Sequence, residues 1–179
     1  FAEKVKTYIT ENKVTDISSL EDSSLEEERK TLIQTIGENI QLRRIETLDF
    51  TSEMKKGLYM HFDSKLAAIV ITKDGSDEVA RNVAMHVSAF NPLCLSEDDI
   101  DKDVLEREKA IFANQAQESG KPQEIMDKIV EGKVKRFLSE VSLLSQDFVK
   151  DSEITVHEYL NQNSAIALDF VRLKVGEGI

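Results

Sequence analysis

His61 and Asp63 stand two residues apart in Tyr59-Met60-His61-Phe62-Asp63. In an extended strand that spacing puts an imidazole and a carboxylate on one face. Such a pair can orient a general base or give two ligands to a metal. A third ligand at recognisable spacing is missing, so neither chemistry is complete. What remains is a partner-contact role, because His61 falls opposite Leu58, Met60 and Phe62. His86 lies on the apolar side of its helix and reads as a packing histidine, and His157, in a polar helix, as a solvated one. Cys94 is the only cysteine and sits in Pro92-Leu93-Cys94-Leu95, which makes it a small core residue rather than a nucleophile. Alone it forms no internal disulfide, which fits a reducing compartment. There is no nucleophile elbow, no phosphate-cradling glycine loop and no Cys/His metal set, so no cofactor is expected. Lys133, Lys135 and Arg136 form a basic spot that reads as a solvated face rather than an RNA site.

The elements that must carry these residues can be read from periodicity. Phe1, Val5, Tyr8 and Ile9 share one face of a first helix, and Leu25, Leu32, Ile33 and Ile36 one face of a second, which Gly37 ends as a left-handed cap. Residues 40–48 read as a mixed strand. Residues 58–63 alternate, with Leu58, Met60 and Phe62 against Tyr59, His61 and Asp63, and the apolar run 66–71 predicts a buried central strand. Asp74-Gly75-Ser76 is a turn and cap before a helix over 77–89 that buries Val79, Val83, Val87 and Phe90. Residues 93–95 suggest a short strand, 155–160 a short helix, and Val171, Leu173 and Val175 a last strand. Helices and antiparallel strands without a βαβ rhythm predict an α+β fold.

Residues 99–141 predict an antiparallel helical hairpin. Leu105, Lys109, Phe112 and Ala116 recur at four–three–four spacing, as do Met126, Val130, Lys133 and Phe137, with Ile125 and Ile129 alongside. Ser119-Gly120-Lys121-Pro122 folds the arms back, with Pro122 opening the second where its missing N–H costs nothing. At 1.5 Å per residue, arms of ~16 residues span ~24 Å. The stripe is thin and broken by lysines, so the hairpin reads as an interaction device rather than a catalytic one.

The 179 residues carry 34 acidic and 23 basic side chains, a formal net charge of −11. That balance disfavours binding to phosphate backbones and anionic membranes, both of which need clustered cations. No apolar run approaches the ~20 residues of a membrane span and no signal-peptide pattern opens the chain, so a cytoplasmic protein is expected.

Several words, in order, resemble bacterial elongation factor Ts: Phe1-Ala2-Glu3-Lys4-Val5, Ile36-Gly37-Glu38-Asn39-Ile40 followed by Arg43-Arg44, and Tyr59-x-His61. Ala84-Met85-His86-Val87, Ser119-Gly120-Lys121-Pro122, Val130-Glu131-Gly132, Phe148-Val149 and Val175-Gly176-Glu177-Gly178-Ile179 continue the series. The resemblance implies two small antiparallel-sheet-plus-helix subdomains, 1–53 and 54–98 with 142–179, and an inserted antiparallel coiled coil at 99–141. It implies exchange of guanine nucleotide on elongation factor Tu without covalent catalysis, docking through Ile36, Gly37, His61 and Val149, and possible homodimerisation. Lys150 occupies a docking position that in the family is often methionine, so its contact is expected to be weaker. The family's upstream Thr-Asp-Phe-Val element, which disturbs the magnesium site, has no counterpart here. Thr15-Asp16-Ile17-Ser18 lies in a connecting segment and does not correspond to it. The family's N-terminal three-helix domain and C-terminal helical module also lie outside these 179 residues, so a fragment is expected. The alternative function is a self-associating coiled-coil scaffold, with an enzyme built on His61 and Asp63 a distant third.

Overall fold

The computed structural model describes residues 1–20, 23–118, 120 and 122–177. Ser119 and Lys121 of the hairpin tip, and Gly178 and Ile179, lie outside the described residues. The fold is α+β. It comprises two compact units, Phe1–Asp49 and Phe50–Glu177.

The first unit holds α1 (Ala2–Asn12), a 3-10 turn (Ile17–Leu20) and α2 (Ser24–Ile36). Val5, Leu20 and Leu25 are buried at its centre, with Tyr8, Ile9 and Ile17 half-buried around them. The Ser23 hydroxyl accepts from the Leu25 N–H at 3.3 Å and starts α2. Gly37, at φ +72°, ends it as expected. Residues 40–48 do not form the expected strand. Ile40, Leu42, Ile45 and Leu48 are each half-buried, yet the backbone makes no ladder. A strand needs a hydrogen-bonded neighbour, and among its described residues the unit has only helices to offer. The Arg29 guanidinium meets the Ile40 carbonyl instead. Among the described residues both sheets therefore belong to the second unit, and residues 1–53 contribute no strand to either.

In the second unit β1 (Met54–Met60), β2 (Leu66–Asp74) and β5 (Ala165–Lys174) make an antiparallel sheet in the order β1-β2-β5, with the predicted apolar run at its centre. α3 (Asp77–Phe90) packs on one face and buries Val79, Ala80, Val83, Ala84 and Val87. Gly57 sets that approach: a Cβ there would stand 2.0 Å from the Ala80 carbonyl carbon. β1 consequently turns Gly57 and Tyr59 toward α3 and Leu58 and Met60 outward, where they are 53% and 57% exposed. The apolar side of the alternation, the natural candidate for the core, is thus the exposed side.

A register shift between Ile71 and Thr72, opposite Asp169 and Ala167, leaves Leu168 as a bulge in β5. The extra residue puts Ala165 and Ala167 in the core and sends Ile166 and Leu168 to the outer face, with Ile69 and Leu173.

A second sheet pairs β3 (Asp147–Phe148) with β4 (Asp151–Thr155) and leads into α6 (Val156–Gln162). Thr155 and Glu158 form a capping box there, the Glu158 carboxylate accepting the Thr155 N–H at 2.7 Å and the Thr155 hydroxyl the Glu158 N–H at 3.2 Å.

Between α3 and β3 run α4 (Lys102–Gln117) and α5 (Gln123–Val141), which pack on each other along the predicted seam. Phe112 and Phe137 meet edge to face at 6.3 Å. Lys133 lies across that seam, its ammonium 5.7 Å from the Phe112 ring centroid and bonded to Gln115 Oε1 at 2.5 Å. Pro122 precedes α5 as its N-cap rather than filling the first helical position. The hairpin's two ends are joined at the root. Leu93 N–H donates to the Val141 carbonyl, Leu143 N–H to Cys94 and Leu144 N–H to Leu95, at 2.8–3.0 Å. The strand expected at 93–95 is reduced to a single parallel bridge, Cys94 to Ser142.

Candidate functional site

The five expected contact residues fall in both units. Ile36 is the last residue of α2, 51% exposed, and Gly37 beside it is exposed. The second helix's apolar face therefore stops at Ile33, and Ile36 stands exposed.

His61, Val149 and Lys150 belong to the second unit. β1 ends at Met60, so His61 and Asp63 share a tight turn and not a strand face. His61 N–H donates to the Leu66 carbonyl at 2.8 Å and Ser64 N–H to the His61 carbonyl at 2.9 Å. The turn brings His61 Nδ1 within 3.3 Å of Asp63 Oδ1. The Asp63 carboxyl is held below its usual range, first by the Lys65 backbone N–H and then by His61. Phe62, 92% exposed, tilts against the His61 ring at 4.4 Å. Among the described residues no group of three His, Cys, Asp or Glu side chains is placed to hold a metal.

Val149 and Lys150 form the turn between β3 and β4. Val149 is half-buried against the core, whereas Lys150 is exposed and reaches back to α3, Nζ donating to Asn82 Oδ1 at 2.6 Å. The Asn82 amide in turn donates to the Tyr159 hydroxyl at 2.8 Å, and Tyr159 stacks on Phe148 at 4.0 Å. The Lys150 ammonium is thus a positioned charge. Sequence reasoning passed over Asn82, which lies 68 residues from Lys150 and carries no local signal. Within this unit Tyr59 pairs with Ala68 and Ala68 with Arg172, whose Nε donates to the Ser88 carbonyl. His61, two residues beyond that row, lies toward the C-terminal end of α3.

The remaining candidates have structural roles. His86 is buried, with both ring nitrogens hydrogen-bonded, and burial lowers its pKa. His157 is exposed and faces Asn161 at 2.9 Å. Cys94 is buried beside the Ser142 hydroxyl at 3.3 Å, and burial pushes its thiol up, away from the reactive thiolate. Asp16 accepts from the Ser18 hydroxyl and N–H at 2.6 and 2.8 Å, which accounts for it as the start of the 3-10 turn. The basic spot is divided: Lys133 lies in the seam and Arg136 pairs with Glu140 at 2.7 Å.

Comparison with known proteins adds to this geometry. The profile of the family described as Elongation factor TS matches residues 1–177. An Elongation factor Ts of Hahella chejuensis (strain KCTC 2396) is 42% identical over 169 residues, 94% of this chain and 58% of the relative. One of Francisella tularensis subsp. novicida (strain U112) is 47% identical over 154 residues, 86% of this chain and 52% of the relative. The chain therefore spans a little over half the length of these curated relatives.

Proposed function

Because the chain belongs to the elongation factor Ts family, we propose that it is the core and hairpin of a guanine-nucleotide exchange factor for elongation factor Tu. On this reading it acts in the elongation phase of protein synthesis, in the cytoplasm. The observation that carries it is the family match, which runs over residues 1–177 and so includes every proposed docking residue. No described helix is long and apolar enough to cross a membrane.

Exchange needs no nucleophile. A factor that binds the nucleotide-free GTPase more tightly than the GDP form lowers the GTPase's affinity for GDP by the same ratio. In this chain Ile36 and Gly37 would offer an apolar helix end, His61 an imidazole and Val149 a half-buried apolar group, with Lys150 adding a fixed cation. The proposed parts of the chain are the core subdomains 1–53 and 54–98 with 142–179, and the inserted hairpin 99–141. Docking through these residues does not by itself disturb the magnesium site. A ligand with equal affinity for both states shifts neither. Docking through these residues should thus bind the GTPase and compete with a full-length factor, while accelerating GDP release poorly by itself.

Stopped-flow release of a fluorescent GDP analogue tests this, with acceleration equal to that of a full-length factor counting against the division of labour. His61→Ala should weaken binding by about 1–2 kcal/mol with little change in melting temperature. Unchanged affinity would return His61 to a turn-forming role. Self-association is the second reading, favoured by the exposed apolar residues Leu58, Met60 and Ile166 on one sheet face. A light-scattering mass equal to one chain would remove it.

A further inference from the structure

The two residues of the β3–β4 turn are held on α3 by side chains one helical turn apart. Asn82 takes the Lys150 ammonium at 2.6 Å, and His86 takes the backbone of Val149. The second contact is the more demanding. Val149 N–H donates to His86 Nδ1 at 3.1 Å, so Nδ1 must carry a lone pair. The ring proton then sits on Nε2, which donates to Gln146 Oε1 at 2.8 Å. That orients the Gln146 amide so that its nitrogen donates to the Glu140 carbonyl at 2.7 Å, in the last turn of α5. Three hydrogen bonds run in one direction from the β3–β4 turn, through the imidazole, to the root of the hairpin. Phe90 stacks on the ring at 4.6 Å and 8°, with Phe148 at 6.1 Å, which fixes its plane. Aromatic packing alone does not require both nitrogens to be matched in this way. The opposite tautomer would set two donors facing each other at Val149 and two acceptors at Gln146.

We infer that His86 is a positioning residue for docking: its Nδ1 lone pair holds Val149 in the conformation presented to the GTPase, and Gln146 ties that turn to the hairpin root. The inference rests on the docking role proposed above for Val149 and Lys150. It adds a residue that never touches the partner, and it makes the turn and the hairpin root one hydrogen-bonded unit.

Two substitutions separate positioning from packing. In His86→Asn the side-chain oxygen replaces Nδ1 and can still accept from Val149, while the donor to Gln146 is lost. In His86→Gln the amide nitrogen replaces Nε2 and serves Gln146, while Val149 loses its acceptor. Both variants remove the same ring from between Phe90 and Phe148, so both lower the melting temperature. Titration calorimetry of the full chain with elongation factor Tu should find His86→Gln weakened roughly tenfold and His86→Asn much less, a gap of one hydrogen-bond acceptor. Nitrogen NMR of the wild-type imidazole should show Nδ1 unprotonated at neutral pH. The Val149 amide proton should shift upfield in His86→Gln and stay near its place in His86→Asn. Equal weakening of the two variants, or a protonated Nδ1, overturns the inference while leaving docking intact. A wild-type chain that does not bind elongation factor Tu overturns the docking reading and the inference with it. In that case the Val149 shifts would still report whether His86 orders the turn.

Discussion

α3 and the hairpin are both helical and both amphipathic, yet they spend their apolar residues in opposite ways. α3 has fourteen residues and buries seven of them, from Val79 to Ser88, against the sheet and α6. α4 and α5 run for sixteen and nineteen residues, and Ala116 alone is fully buried. The difference lies in the neighbour. α3 faces a sheet that can cover a wide stripe, whereas each arm of the hairpin faces one other helix, which covers only a seam. Stability should therefore be concentrated in the α3 layer and the hairpin should be removable.

Four experiments test that contrast. Leu160→Ala, in the layer beside α3, should cost about 2–5 kcal/mol in denaturant unfolding, since it empties a fully buried site. A cost near zero would show that the layer is not the stable part. Replacing residues 101–140 by a short Gly/Ser linker should leave one cooperative transition and lower the melting temperature by a few degrees at most, ~2–4 °C for each kcal/mol lost at this size. Loss of cooperativity would make the hairpin a core element. Lys133→Ala should cost no more than about 1 kcal/mol, the worth of one cation–π contact and one partly exposed hydrogen bond.

The smallest effect vanishes at neutral pH. Burial lowers the His86 pKa from its ordinary value of about 6.5, so the unfolded chain binds its proton first as pH falls. The stability due to the neutral imidazole is full above pH 6.5 and is lost as pH drops below it toward the folded value. The groups that meet the ring are Phe90, Phe148, Gln146 and the Val149 N–H, none of them charged, and the Lys150 ammonium next along the turn is held by Asn82. Melting curves from pH 8 to pH 5 should show a steeper decline for wild type than for His86→Asn. Parallel declines would remove His86 from the pH response.

Much of this was legible before the structure. α3 and the hairpin seam follow from periodicity and β2 from its unbroken apolar run, although Phe90, expected on the buried face of α3, is 50% exposed. Residues 40–48, read as a mixed strand, differ for a physical reason: a strand also needs a partner ladder, and among the described residues the first unit offers only helices. The period of β1 is visible in its sequence, but which of its faces turns inward is not. Its burial is decided by the missing side chain of Gly57, which lets α3 approach from the less apolar side. At the candidate site, the types and order of Ile36, Gly37, His61 and Val149 were visible. The turn that joins His61 to Asp63, and the ties from Asn82 and His86 to residues more than sixty positions away, were not. Long-range hydrogen bonds leave no spacing to read.

The zipped root of the hairpin has a consequence for the order in which the chain folds. Cys94 and Ser142 meet although 48 residues separate them, and closing a loop of that length is slow for a featureless chain. The hairpin removes most of the search. Its arms zip through contacts between near neighbours in sequence, on the microsecond scale of helix pairing. Once they have done so, the two ends of the insertion lie side by side. The segment that adds least to equilibrium stability would then set the rate at which β3, α6 and β5 find the sheet, and a floppy replacement of equal length should refold more slowly to an equally stable core.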